Sequence, residues 1–139
     1  DWSSDVCSSD LMAILQCRKT VHTDEGKQRQ AALLAFSAFP ELKHVILVDE
    51  DVDIFDTNDV LWAMNTRFQG DRDIITIPGV RCHPLDPSSC PEYTGSIRDV
   101  GCSTKTIFDC TVPFELKEKF KRAAFKEVDV KHWLPDFEL

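Results

Sequence analysis

The sequence predicts an α/β domain: a mostly parallel sheet of about four strands with flanking helices. Three observations predict it. Short apolar runs of strand length recur along the chain, stretches with helical spacing of apolar residues separate them, and Pro, Gly and Asp mark the joins. Strands alternating with helices favour parallel pairing through right-handed crossovers.

MAILQC (12–17) is apolar, short and reads as a buried strand. The polar stretch VHTDEGKQRQ then leads into an alanine-rich helix. Thr23 is its expected cap, Asp24 and Glu25 complement the dipole, Ala32, Phe36 and Phe39 fall at helical spacing, and Pro40 stops it. HVILV (44–48) is a second buried strand, and a second helix is expected over 56–68 with Asp56 as N-cap, Asp59 three residues on, and Val60, Leu61, Met64 and Phe68 as its apolar stripe. IITIP (74–78) and KTIFD (105–109) are the third and fourth strands. A third helix is expected from near Pro113, with Leu116, Phe120 and Ala124 on one face. Between Pro78 and Lys105 runs a long connection rich in Pro, Gly, Ser and Cys, and connections of that length in a domain are usually functional. The tail HWLPDFEL carries Trp133, Leu134, Phe137 and Leu139, which suit packing on its own domain or a neighbouring surface.

With 139 residues, 42% apolar and 29% charged, the chain has the composition of one globular domain. At this length a fold buries roughly 68% of the surface of its unfolded chain, so neither disulfides nor metals are needed for stability. The first eleven residues, DWSSDVCSSDL, show no helix or strand period and translate a common short-read sequencing adapter. Residues 1–11 are therefore set aside as an artefact, leaving 12–139 as the domain and moving the net charge from −8 to −5. A mildly acidic chain has no basic stripe for nucleic acid, and no apolar run reaches the ~18 residues of a membrane span. Cys17, Cys82, Cys90, Cys102 and Cys110 lack the spacing of zinc ribbons and read as reduced thiols of a cytoplasmic protein.

The stretch HVILVDEDVDIFDTND is the strongest candidate for chemistry, with Asp49, Glu50, Asp51, Asp53, Asp56 and Asp59 following an apolar strand. An EF-hand requires Gly and Glu where Ile54 and Val60 stand, so that calcium loop is excluded. An Asp-x-Asp pair at a strand end also suits the metal site of a nucleotide-sugar transferase or an aspartyl phosphatase. No phosphate-cradling Gly-rich loop accompanies it, and no GxSxG elbow occurs. The simpler expectation is a solvated strand-to-helix turn whose later acids cap a helix. His22, His44, His83 and His132 have no ligand spacing and read as surface or core residues. Spacing alone thus describes an α/β domain without a self-contained active site.

The run HVILVDEDVDIFDTNDVLWAMNTR, then IPGVRCHPLDPSS, then STKTIFDCTVP resembles the C-terminal domain of the UbiD-type carboxy-lyases, over nearly all of 12–139. The resemblance implies a UbiD C-terminal-domain-like fold and places the acidic turn as scaffolding. For the complete enzyme it implies reversible decarboxylation of an aromatic or α,β-unsaturated carboxylic acid by prenylated FMN, the flavin acting as electron sink or cycloaddition partner, with Mn2+ and K+ anchoring the flavin phosphate. The family's catalytic Glu/Arg/Glu network and metal ligands belong to a preceding flavin-binding domain, so no catalytic or metal residue is assigned in this chain and the fragment is expected to be inactive alone. Lys105 matches the family lysine that reaches the flavin phosphate; without the resemblance it would read as an exposed lysine at a strand's start. Asp109 matches a recurrent acid expected to be structural. The implied partners are the flavin-binding domain of the same protein, a small aromatic acid and further copies in a homo-oligomer. Two alternatives remain: a stand-alone scaffold domain pairing with a separate flavin-domain chain, and a metal-dependent nucleotide-sugar transferase using Asp51 and Asp53.

Overall fold

Residues 6–9, 11–81, 83, 86, 88 and 102–123 are described by the computed structural model. Five strands form one sheet: β1 (Val6–Ser9), β2 (Met12–Cys17), β3 (His44–Asp49), β4 (Ile74–Arg81) and β5 (Cys102–Cys110), in the spatial order β1-β2-β3-β5-β4. The centre is parallel, with β3 between β2 and β5, and each edge is antiparallel. The expected strands are all present; β4 and β5 run longer than the apolar runs suggested.

One difference concerns the segment set aside. Val6–Ser9 pairs with β2 although it has no strand alternation. Pairing uses main-chain groups, so an extended segment beside an open edge can join a ladder whatever its side chains. On the opposite edge, the β4 register slips between Ile77 and Val80, where Pro78 lacks an N–H and Gly79 takes φ +70°. An edge strand tolerates both, which confines the irregularity to the rim.

Two helices, α1 (Lys27–Ala38) and α2 (Thr57–Arg67), cover opposite faces. Successive strand residues point to opposite faces. Accordingly Val45 and Leu47 pack with Ala32 and Phe36 of α1, whereas Ile46 and Val48 pack with Val60 and Ala63 of α2. Handedness dictates the side of α1, which joins two parallel strands. It does not constrain α2, whose next strand, β4, runs antiparallel to its neighbour.

Local chemistry corrects three expectations. Thr23 does not cap α1: His22–Asp24 forms a 3-10 turn, and Asp24 Oδ2 accepts from the Thr20 N–H (2.8 Å), the Thr20 hydroxyl (2.9 Å) and the Val21 N–H (3.1 Å). Gly26 at φ +90° then turns the chain into the helix, a conformation that costs glycine little. In α2, Asp56 caps as expected by accepting the Asn58 N–H at 2.9 Å, but Leu61 is half-exposed and Ala63 takes the buried place. After Pro113 the chain forms a 3-10 segment, Phe114–Phe120, rather than an α-helix. None of its residues is buried, so no packed face supports a longer helix, and Ala124 lies outside the described residues.

Burial pushes the thiols of Cys17 and Cys110 up to about 12. Among the described cysteines, Cys102 alone is expected to react with a thiol reagent in the folded chain at pH 8, as read by peptide mapping. The two raised values stabilise the fold fully below the unfolded thiol pKa of about 8.5, and that contribution is lost as pH rises from there towards 12. Rapid native labelling of Cys17 or Cys110 would show them to be accessible.

Candidate functional site

All six carboxylates of the acidic turn have protein partners. Asp49 ends β3 and is buried; its Oδ2 accepts from the Val112 N–H (2.8 Å) and from Arg67 Nη1 (3.0 Å). Asp51 takes both arms of the same guanidinium, Nη1 at 2.7 Å and Nη2 at 2.6 Å. This forked geometry suits arginine and not lysine. Glu50 pairs with Arg18 (3.1 Å) and Lys117 (3.3 Å). Asp53 Oδ1 accepts the Phe55 N–H at 2.9 Å, closing a local turn. Asp59 accepts the Asp53 N–H (2.7 Å) and Arg122 Nη1 (2.7 Å).

The turn is therefore scaffolding, though it is not wholly solvated: Asp49 and the Arg67 side chain are both buried. Burial pushes the Asp49 carboxyl above the ordinary value, while the Arg67 hydrogen bond draws Asp51 below it and Arg122 does the same for Asp59. Trp62 of α2 carries the two guanidiniums, with Arg122 at 3.9 Å and Arg67 at 4.9 Å from its ring centre. A cleft of about 220 Å³ lies over this network, lined by Asp49, Arg67 and Lys117 among others. Asp51 and Asp53 are committed to Arg67 and to the local turn, which leaves no Asp-x-Asp pair for a sugar-nucleotide metal. Among the described residues no group of three His, Cys, Asp or Glu side chains is placed to hold a metal.

Lys105 lies at the other end of the sheet and is buried, 2% exposed, unlike a lysine at a strand's start. Its Nζ donates to the Pro40 carbonyl at 2.7 Å and to that of Leu42, and sits 5.2 Å from the Phe36 ring centre. The ammonium thus ties β5 to the chain leaving α1. Nearby, Lys43 pairs with Asp86 at 3.0 Å, anchoring one described residue of the long connection. Asp109, near the carboxyl end of β5, accepts Arg29 Nε at 2.6 Å and the Thr111 hydroxyl at 2.6 Å, joining the strand to α1. The structure therefore does not bring Lys105 and the acidic turn together. His44 is partly buried against Phe108, His22 pairs with Glu115 at 3.4 Å, and His132 lies outside the described residues. Sequence reasoning missed Arg67 and Arg122. The available signal was the acidic cluster itself, since six carboxylates in so short a stretch require cations from elsewhere.

Geometry and topology define an α/β domain with a parallel-centred sheet and a turn dedicated to holding itself together. The chain belongs to the 3-octaprenyl-4-hydroxybenzoate carboxy-lyase C-terminal domain family, whose model matches residues 4–110. Among its relatives is a gallate decarboxylase of Lactiplantibacillus plantarum, 62% identical over 85% of this chain and 24% of the relative. An anhydromevalonate phosphate decarboxylase of Methanosarcina mazei is 42% identical over 84% of this chain and 25% of its own length. The apo structure of a 3,4-dihydroxybenzoic acid decarboxylase from Enterobacter cloacae superimposes with a TM-score of 0.80 at 58% identity, covering 91% of this chain and 26% of that one. The UbiD-class enzyme HmfF from Pelotomaculum thermopropionicum, in complex with FMN, gives 0.70 at 30% identity over 93% of this chain and 25% of that one. This chain spans about a quarter of the length of the relatives it matches.

Proposed function

We propose that this chain is the C-terminal part of a UbiD-like decarboxylase acting reversibly, with prenylated FMN, on a hydroxylated aromatic acid. The observation that carries the proposal is its high identity to decarboxylases named for gallate and 3,4-dihydroxybenzoate, both hydroxylated benzoic acids. The described residues do not by themselves form a flavin or metal site: the acids are engaged within the domain, and no metal-holding group is present among them. The flavin, Mn2+ and K+ are therefore assigned to the preceding flavin-binding part of the complete polypeptide. A cytoplasmic homo-oligomer is part of the same proposal. No helix among the described residues is long and apolar enough to cross a membrane, and a UbiD-class relative is described in a dimeric form.

The complete polypeptide, loaded with prenylated FMN, is expected to release CO2 from gallate or 3,4-dihydroxybenzoate, and the 139-residue chain alone is expected to give no turnover. Failure of the complete protein on hydroxybenzoic acids, or activity of the isolated chain, would overturn the proposal. Lys105 is the residue of this chain proposed to reach the flavin phosphate, for which its ammonium must exchange or share the Pro40 and Leu42 carbonyls. Lys105→Met in the complete protein is then expected to lose flavin on gel filtration. Flavin retained with full activity would confine Lys105 to its carbonyl contacts.

A further inference from the structure

The outer face of α1 has the wrong chemistry for a helix that remains in water. A surface helix turns charged and polar residues outward. From Gln30 to Pro40, however, this chain carries no charged residue, in a sequence that is 29% charged. Ala32 and Phe36 fill the sheet-facing side, whereas Leu33 is 49%, Leu34 70% and Phe39 62% exposed. The exposed apolar residues on the opposite layer differ in their setting. Phe55 stands between Asp53 and Asp56, and Leu61 lies one turn from Asn58 and Asn65, so each is an isolated side chain among polar neighbours.

We infer that the uncharged outer face of α1, centred on Leu33, Leu34, Ala38 and Phe39, docks against the preceding flavin-binding part of the same polypeptide. This rests on the functional reading above. The occupant follows from size and placement. At a rise of 1.5 Å per residue, the last nine residues of α1 present a strip about 13 Å long and about 10 Å wide. That is far short of the roughly 800 Å² per partner of a stable interface formed from free solution. A covalent tether removes the difficulty, because it holds the partner surface at an effective concentration of about millimolar. The relatives this chain matches are about four times its length, which supplies such a tethered partner. The strip also ends at Phe39 and Pro40, beside the carbonyl that Lys105 holds, so it adjoins the end of the sheet proposed to meet the flavin.

Hydroxyl-radical footprinting read by mass spectrometry tests this on unmodified protein. In the 139-residue chain, Leu34 and Phe39 should be oxidised readily at all concentrations. In the complete polypeptide their oxidation should fall several-fold. Protection in the isolated chain that grows with concentration would assign the face to a second copy, and protection independent of concentration would assign it to the chain's own residues; either overturns the inference. Equal oxidation in both proteins, in a complete polypeptide that decarboxylates, also overturns it while leaving the functional reading intact. Absence of CO2 release instead refutes the functional reading and is scored separately. As a second arm, Leu34→Lys should leave the circular dichroism of the isolated chain unchanged and restore Phe39 oxidation in the complete polypeptide.

Discussion

Arg67→Met is expected to destabilise the chain by about 3–5 kcal/mol, the cost of removing one partner from a buried ion pair. The arginine side chain is only 3% exposed and is the single cation bonded to both Asp49 and Asp51. Removing it leaves Asp49 buried, ionisable and held by one main-chain N–H, and leaves Asp51 with only the flanking Arg122. A domain whose whole stability is about 5–15 kcal/mol would lose a large share. Urea unfolding at pH 7 provides the measurement. The Asp49→Asn, Arg67→Met double variant should lose less than the two single losses added together, because no uncompensated charge is then buried. An Arg67→Met cost below about 1 kcal/mol would place the pair among ordinary surface bridges.

Leu47→Ala should cost about 2–5 kcal/mol, the range for truncating a large buried aliphatic side chain. Leu47 is fully buried at the centre of β3. It packs in the cluster that α1 closes with Ala32 and Phe36, where neighbours in a three-strand parallel centre have little freedom to collapse into the space. Leu61→Ala, on the outer face of α2, is the matched control and should change stability by no more than about 0.5 kcal/mol. Similar losses for the two variants would mean that the assignment of faces is wrong.

These two residues mark what the sequence makes legible. HVILV announces a buried central strand because a sheet covered on both faces needs apolar side chains on both, and a continuous apolar run is the result. The start of α2 is equally plain, since Asp56 acts on an N–H two residues away. Such local chemistry can be read from a short window. The start of α1 was misplaced because Asp24 closes the preceding turn and a glycine in the left-handed region begins the helix. Leu61 was misassigned to the core because helical spacing fixes which residues share a stripe but not how wide the packed part of it is. The acidic turn was recognisable as scaffolding, yet its partners were not. Arg67 lies 16 residues from Asp51, and Arg122 lies 63 from Asp59. Contacts at such separations are decided by the fold, which a short window does not contain.

The position of β5 bears on the order in which the chain can acquire its structure. It is the last strand synthesised, yet it lies between β3 and β4. Until it emerges from the ribosome, β3 has one open edge and β4 has no partner in the sheet. During translation the first hundred residues can form β2, α1, β3 and α2, but they present an unpaired hydrophobic strand to any passing chain. The family fold thus places its vulnerable interval late in synthesis and ends it with a single insertion, that of Cys102–Cys110.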